Sequence, residues 1–216
     1  MNYKVRKSKR AKNISISIRD GEVVVTKPWY APNFLVDQVV KKHQDWIVKN
    51  LAKQNTSKTS KNTIYYLGKV YRVLFNPGRL SINYVENEAQ ISAYNEMAAK
   101  RSLKEWHRNE ARKAINLSVK SFSKAMEVNV MVVRLKDQSS RWGSCSSASN
   151  LNFSWRLILT PPEVLNYVVI HELAHLTHMN HSRKFWDLVE KFDPDYREHR
   201  RWLNRYGHTI KKMWYD

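Results

Sequence analysis

Residues 171–181 read HELAHLTHMNH and gather four of the chain's eight histidines into eleven positions. His171 and His175 are four apart, so on a helix both imidazoles leave the same face and converge where a metal ion can sit. Glu172 follows the first of them and reaches a water at that metal, the position from which a carboxylate acts as general base in metal-assisted hydrolysis. The competing reading is a pair of packing histidines on a helix flanked by Val168, Ile170, Leu173, Ala174 and Leu176. Burying two imidazoles and a carboxylate with nothing to satisfy them is costly, which favours the metal.

A third ligand is needed. His178 lies seven residues beyond His171, about 10.5 Å along a helix, and three collinear donors cannot occupy three corners of a tetrahedron. His181 follows Met179-Asn180, where an asparagine in the left-handed conformation can end the helix and return the chain to the metal. Asp187 and Glu190 on the next helix are the alternatives. Three protein ligands leave the fourth position to water, the pattern of a catalytic zinc site rather than a structural one. Arg141, Arg156, Tyr196 and His199 are candidates for stabilising an oxyanion, and the sequence does not select among them. The single cysteine, Cys145, has no neighbouring base and reads as a packed thiol. Being alone, it also excludes an internal disulfide and a multi-cysteine zinc finger.

Several elements must position these groups. Thr160-Pro161-Pro162-Glu163 opens the metal helix, with Thr160 as N-cap, proline in the first turn and Glu163 completing a capping box. Upstream, Val130 to Leu135 and Asn150 to Leu159 read as strands, the second through alternating Leu151, Phe153 and Trp155, with the β-compatible run SSRWGSCSS at 139–147 between them. A long helix is expected from Asn95 to Met126, with Leu103, Trp106, Ala114, Ile115, Leu117, Val119 and Phe122 towards the core. Short β-runs at 64–67, 70–75, 80–85 and 89–93 precede it, punctuated by Gly68 and Pro77-Gly78. Residues 53–63 are polar and form an exposed connection. Pro32 to Gln54 has helical spacing, and 13–27 reads as a hairpin with Ile14, Ile16 and Ile18 alternating and Asp20-Gly21 at the turn. Trp106, Trp155, Trp186 and Trp202 are assigned to packing. No repeat of 20–50 residues is visible.

The 216 residues carry 38 Lys+Arg against 19 Asp+Glu, a net charge of +19, and 42% hydrophobic residues suffice for a core. Residues 1–61 hold 14 basic and 4 acidic side chains, densest at Lys4, Arg6, Lys7, Lys9, Arg10 and Lys12. Such a cluster is either a phosphate-contacting arm or a solvated basic face, and the lack of an RNP, KH or paired-cysteine signature favours the face. Neither a membrane-spanning run nor a signal-peptide core is present, so a cytoplasmic protein with no membrane partner is expected. The oligomeric state is left open.

The stretch from Gln138 to Trp186 contains RWGSC, NLNFSWRL and HELAHLTHMNHSRKFW. In these motifs the chain resembles the YgjP-type metallopeptidase-like family, related to the WLM and SprT-like zincins. The N-terminal half fits more loosely, through DWIVKNL and YLGKVYRV. The resemblance implies an α+β fold: a compact zincin-like catalytic domain, a small sheet on the active-site helix, over residues 95–216. A basic β-rich accessory region with one helix would occupy residues 1–94. It implies Zn2+ bound by His171, His175 and His181, with Glu172 as catalytic base. A protein or peptide substrate would add as a strand along Arg141 to Ser146 or Asn150 to Arg156. The family is also linked to pyrophosphatase activity on nucleoside triphosphates, UTP in particular, and the basic surface suits a nucleotide or nucleic acid. With Glu172 the one carboxylate inside the motif, the sequence leans to zinc and peptide hydrolysis. A non-enzymatic nucleic-acid-binding zinc protein is the third reading.

Overall fold

The computed structural model describes residues 3–19, 22–48, 62–138 and 140–210. The chain divides into two units, Met1–Thr59 and Ser60–Asp216.

In the first unit the isoleucine alternation and the Val23–Val25 run produce the expected antiparallel pair. β2 (Ser15–Arg19) faces β3 (Glu22–Pro28) in a register that sets Ile16 against Val25 and Ile18 against Val23. The Asp20-Gly21 turn lies outside the described residues. A strand not foreseen from the sequence, β1 (Lys4–Ser8), pairs in parallel with the other edge of β3, giving the order β1-β3-β2. Its side chains are nearly all exposed, so it carries no hydrophobic alternation to detect, and its charges suit an edge strand. Helix α1 (Asn33–Lys42) lays Val36 and Val40 with Val23, Val25 and Ile47 in a small core. The helix expected to run to Gln54 stops at Lys42, turns at His43 and resumes at 44–48; residues 49–54 lie outside the described residues.

The second unit begins with four strands close to those expected. These are β4 (Thr63–Tyr66), β5 (Lys69–Pro77), β6 (Ser81–Val85) and β7 (Glu88–Ala93), ordered β4-β5-β7-β6. The long helix α2 (Glu96–Ala125) starts where Asn95 caps it, its side chain accepting from the Ala98 amide at 2.8 Å. Ala99, Leu103, His107, Ala111, Ile115 and Val119 form its buried stripe, whereas Leu117, expected inside, is exposed. Ile64, Val73, Ala89 and Ile91 of the sheet share one core with this stripe. The boundary therefore falls near residue 60, not at the expected 94/95: the β-rich segment is part of the body that carries the metal helix.

A second sheet, ordered β8-β10-β9, comprises β8 (Val132–Lys136), β9 (Gly143–Cys145) and β10 (Asn150–Ser154). The strand expected to reach Leu159 ends at Ser154, and Trp155–Leu159 wind into a 3-10 turn that is buried throughout. A fully buried run has no exposed face, so the alternation of Leu151, Phe153 and Trp155 did not mark where the strand stops. α3 (Pro162–Ala174), α4 (Arg183–Phe192) and α5 (Tyr196–Ile210) complete the unit, with α2 packed on the 3-10 turn and on α3. No helix among the described residues is long and apolar enough to cross a membrane.

The start of α3 is held from outside. Pro161 is its N-cap and Pro162 its first residue, and Thr160, rather than capping, donates its hydroxyl to the Leu157 carbonyl at 2.7 Å. The two-residue turn between β4 and β5 has left-handed backbone at both Leu67 (φ 49°) and Gly68 (φ 79°). Their amides donate to Ile158 O at 2.9 Å and Leu159 O at 3.2 Å. A Cβ on Gly68 would stand 2.6 Å from Pro161 Cγ, so only glycine allows this turn to touch the helix start.

Candidate metal centre

α3 is apolar on nearly every side, and Val164 to Ile170 bury it so that its last turn alone faces the site. His171 sits in that turn and His175 is the C-cap. The amides of Leu176, Thr177 and His178 then bond back to Leu173 and Ala174, tightening the chain until it reverses. This differs from the expected left-handed Asn180: among described non-glycine residues positive φ occurs at Leu67, Glu86, Glu127 and Ser149. The reversal brings His181 back to the helix end. Its Nε2 approaches His171 Nε2 to 3.2 Å, and one nitrogen from each of His171, His175 and His181 lies within 4.8 Å of the others. Nitrogens on a common tetrahedral zinc stand about 3.3 Å apart, so the triad fits such an ion.

The second nitrogen of His175 agrees with that fit, whereas His171 Nδ1 is buried without a hydrogen-bond partner. His175 Nδ1 donates to the His178 carbonyl at 3.1 Å, which leaves Nε2 with a free lone pair. His178 thus contributes its backbone, and its ring lies outside the triad. Burial, with the neighbouring His175 and His181 adding to it, holds His171 down to about 3, and burial also lowers His175. Neutral imidazoles are the metal-binding form. Asp187 instead faces Arg183 at 3.9 Å, and Glu190 is paired with Arg197.

Two aromatic residues that spacing did not single out shape the centre. Phe185, fully buried on α4, lies under all three imidazoles, its ring centroid 5.0, 4.6 and 4.8 Å from those of His171, His175 and His181. Trp186 stacks on His181 at 5.6 Å and on Tyr196 at 5.2 Å, so this tryptophan does more than fill the core. The clue in the sequence is the Phe-Trp pair, four and five residues after His181, at the first turn of the helix that must cover the histidines.

Glu172 is 6% exposed, and burial pushes its carboxyl up to about 7, with the charge of Arg141 opposing. It lies against β9: a Cβ on Gly143 would meet Glu172 Oε1 at 2.5 Å. The glycine of RWGSC is therefore the space the carboxylate occupies. Cys145, on the same strand, is half-buried; burial and Glu172 raise its pKa, which keeps it a thiol. The neighbouring Trp142 packs on Gly207 of α5, where an added Cβ would lie 3.0 Å from its ring.

Of the oxyanion candidates, Arg156 is buried, ion-paired with Asp137 and stacked 4.8 Å over Trp155, which engages its charge in packing. Tyr196 is buried beneath Trp186. His199 Nδ1 donates to Asp193 at 2.9 Å, and its ring lies 6.4 Å from Tyr167, which in turn is 5.9 Å from His171. Burial pushes the Tyr167 phenol up to about 12, with Arg200 opposing. Tyr167 and Arg200 thus join Arg141 and His199 around the triad; neither falls in a motif that sequence spacing selects.

A histidine triad closing on the end of one helix, with a buried glutamate between its first two members, defines a candidate metal centre of the HExxH class. The family model described as YgjP-like, metallopeptidase domain, matches residues 12–206, and the chain belongs to that family. Comparison with curated proteins and with solved structures returns no match.

Proposed function

We propose that the chain is a zinc-dependent peptidase in which His171, His175 and His181 hold the ion and Glu172 is the general base. The observation that carries this reading is three mutually close imidazoles, with His171 and His175 held towards the neutral form by burial, beside a buried carboxyl near 7. Zinc in such a site supplies Lewis acidity and lowers the pKa of water. Glu172, poised near neutrality, takes the proton of the attacking water and delivers it to the departing amine. Arg141, Arg200 and the Asp193-oriented His199 are the donors available to the developing oxyanion. β9 is the edge strand of its sheet and passes Glu172, so an extended peptide added along Gly143–Cys145 brings its carbonyl to the base.

A triphosphate pyrophosphatase would surround its magnesium with carboxylates. Among the described residues the histidine triad is the only group of three or more His, Cys, Asp or Glu side chains close enough to share an ion. The test is zinc content and hydrolysis of denatured proteins and of nucleoside triphosphates, for wild type and Glu172→Gln. Bound zinc with peptide cleavage lost in Glu172→Gln supports the reading. Glu172-dependent triphosphate cleavage replaces the substrate class, and a protein that takes up no zinc ends it.

A further inference from the structure

The first unit presents two ordered turns at one end of its sheet. In the first, Ser8 Oγ accepts from the amides of Arg10 and Ala11, both at 3.2 Å, which fixes the turn bearing Lys9, Arg10 and then Lys12. In the second, the Ala31 amide bonds to Pro28 O at 3.1 Å, closing a β-turn with Trp29 and Tyr30 at its corners. Lys27, buried, donates to Ala31 O and staples that turn. Because β1 and β3 run parallel, with Ser8 opposite Pro28, both turns leave the same end of the sheet. The Trp29 amide joins them, donating to Ser8 O at 3.2 Å.

What these turns display is unusual for a surface. Trp29 is 64% exposed and Tyr30 66%, edge to face at 6.0 Å, and Phe34 in the first turn of α1 is 59% exposed. Lys7, Lys9, Arg10 and Lys12 are all exposed beside them. Two acidic residues of the unit are engaged elsewhere: Glu22, at the opposite end of β3, pairs with Lys4 at 2.7 Å, and Asp37 accepts from Tyr3. Large rings left in water next to exposed cations are poor solubilising chemistry, but they are the two components of a single-strand nucleic-acid site: a π-face for each base and cations for the backbone. A membrane surface would require an apolar face continuous with the rings. Here the exposed neighbours on the joined turn are Lys9, Arg10 and Lys12.

We propose that this end of the sheet binds single-stranded nucleic acid, with bases stacked on Trp29 and Tyr30 and phosphates on Lys9, Arg10 and Lys12. The site is independent of the metal centre and of its chemistry. The experiment is fluorescence anisotropy of the full chain with a labelled oligothymidylate, a labelled duplex of equal length, and co-sedimentation with phosphatidylserine-containing vesicles, across a salt series. Trp29→Ala and Tyr30→Ala should each weaken oligothymidylate binding about tenfold with the salt slope unchanged, and Trp29→Phe should retain most of it. Lys9→Ala/Arg10→Ala/Lys12→Ala should reduce the slope of log K against log salt by about 2. Removing Arg112, Lys120 and Lys124 together, in the other unit, should change binding far less. Circular dichroism of each variant separates loss of binding from loss of fold. The proposal is overturned if the ring variants bind like wild type, if duplex binds as tightly as single strand, if both triple variants lose equally, or if the rings are needed for vesicles and not for the oligonucleotide.

Discussion

Replacing Gly143 by alanine would place a methyl group 2.5 Å from Glu172 Oε1, 2.6 Å from Cγ and 2.8 Å from Cδ. Ordinary contact begins near 3.4 Å, so the carboxylate must withdraw by about 0.9 Å. Gly143 has no left-handed backbone requirement, and the effect is one of space alone. The glutamate side chain can rotate to escape, which limits the stability loss to about 1–2 kcal/mol, the lower range for overpacking. Catalysis is less forgiving, since a misplacement of about 1 Å in a reacting group costs about a hundredfold. The three atoms nearest the added methyl all belong to Glu172 and none to an imidazole, so zinc content should stay at the wild-type level. The assay is a parallel measurement of bound zinc, urea unfolding and hydrolysis of a denatured protein. The reasoning predicts full zinc, nearly native stability and activity down about a hundredfold. Turnover above half that of wild type, or zinc lost together with activity, would refute it.

Three more outcomes follow from the same geometry. His181→Ala should weaken zinc binding by about a hundredfold or more and His178→Ala by less than about tenfold, because only a carbonyl of His178 takes part; metal titration reversing that order discards His181 as a ligand. Phe185→Ala removes the support of three rings and should cost the metal-free protein about 3–5 kcal/mol in urea unfolding, with Phe185→Leu recovering most of it; a loss below about 1 kcal/mol contradicts the packing described. His107 is held down to about 3 by burial, with Nδ1 donating to Leu103 O at 3.0 Å and Tyr84 OH 2.7 Å from Nε2. Its neutral form is the folded one, so its contribution is complete above the unfolded value of 6.5 and is lost as pH falls towards 3, at up to about 1.4 kcal/mol per pH unit. Unfolding between those limits should show a shallower acid slope in His107→Phe, and an unchanged slope removes His107 from the acid response.

The closeness of the three histidines was readable because its information is local: His171 and His175 share a helical face by spacing, and a return of the chain at His181 needed only a turn. What turned the chain was misjudged, since backbone bonds from Leu176, Thr177 and His178 close the helix without a left-handed Asn180. The strands before α2 and the span of α2 itself were legible from alternation and from Asn95 as a cap. Its buried face was less so, because His107 and Ala111 do not announce burial and Leu117 falsely does. Long-range effects left no trace in spacing. Gly143 as room for Glu172, Phe185 beneath three rings and Arg200 near His171 depend on segments that meet only after folding. Charge misled in the other direction: β1 was visible as a basic cluster, and its strand character, supplied by pairing with β3, was not.

The turn at Leu67-Gly68 has a further consequence for how the site is dimensioned. It touches Pro161 and the two carbonyls just ahead of it, and the two prolines that follow cannot be drawn into a helix interior, so α3 can begin at one residue and no other. From Pro162 to His171 is nine residues, about 13.5 Å of helix. Inserting or deleting one residue in that interval would swing both histidines and Glu172 by about 100° around the axis. A hairpin nearly a hundred residues upstream thus acts as the zero mark of a ruler, and the histidines and Glu172 are readings taken from it. The length of this interval is therefore set by the site itself.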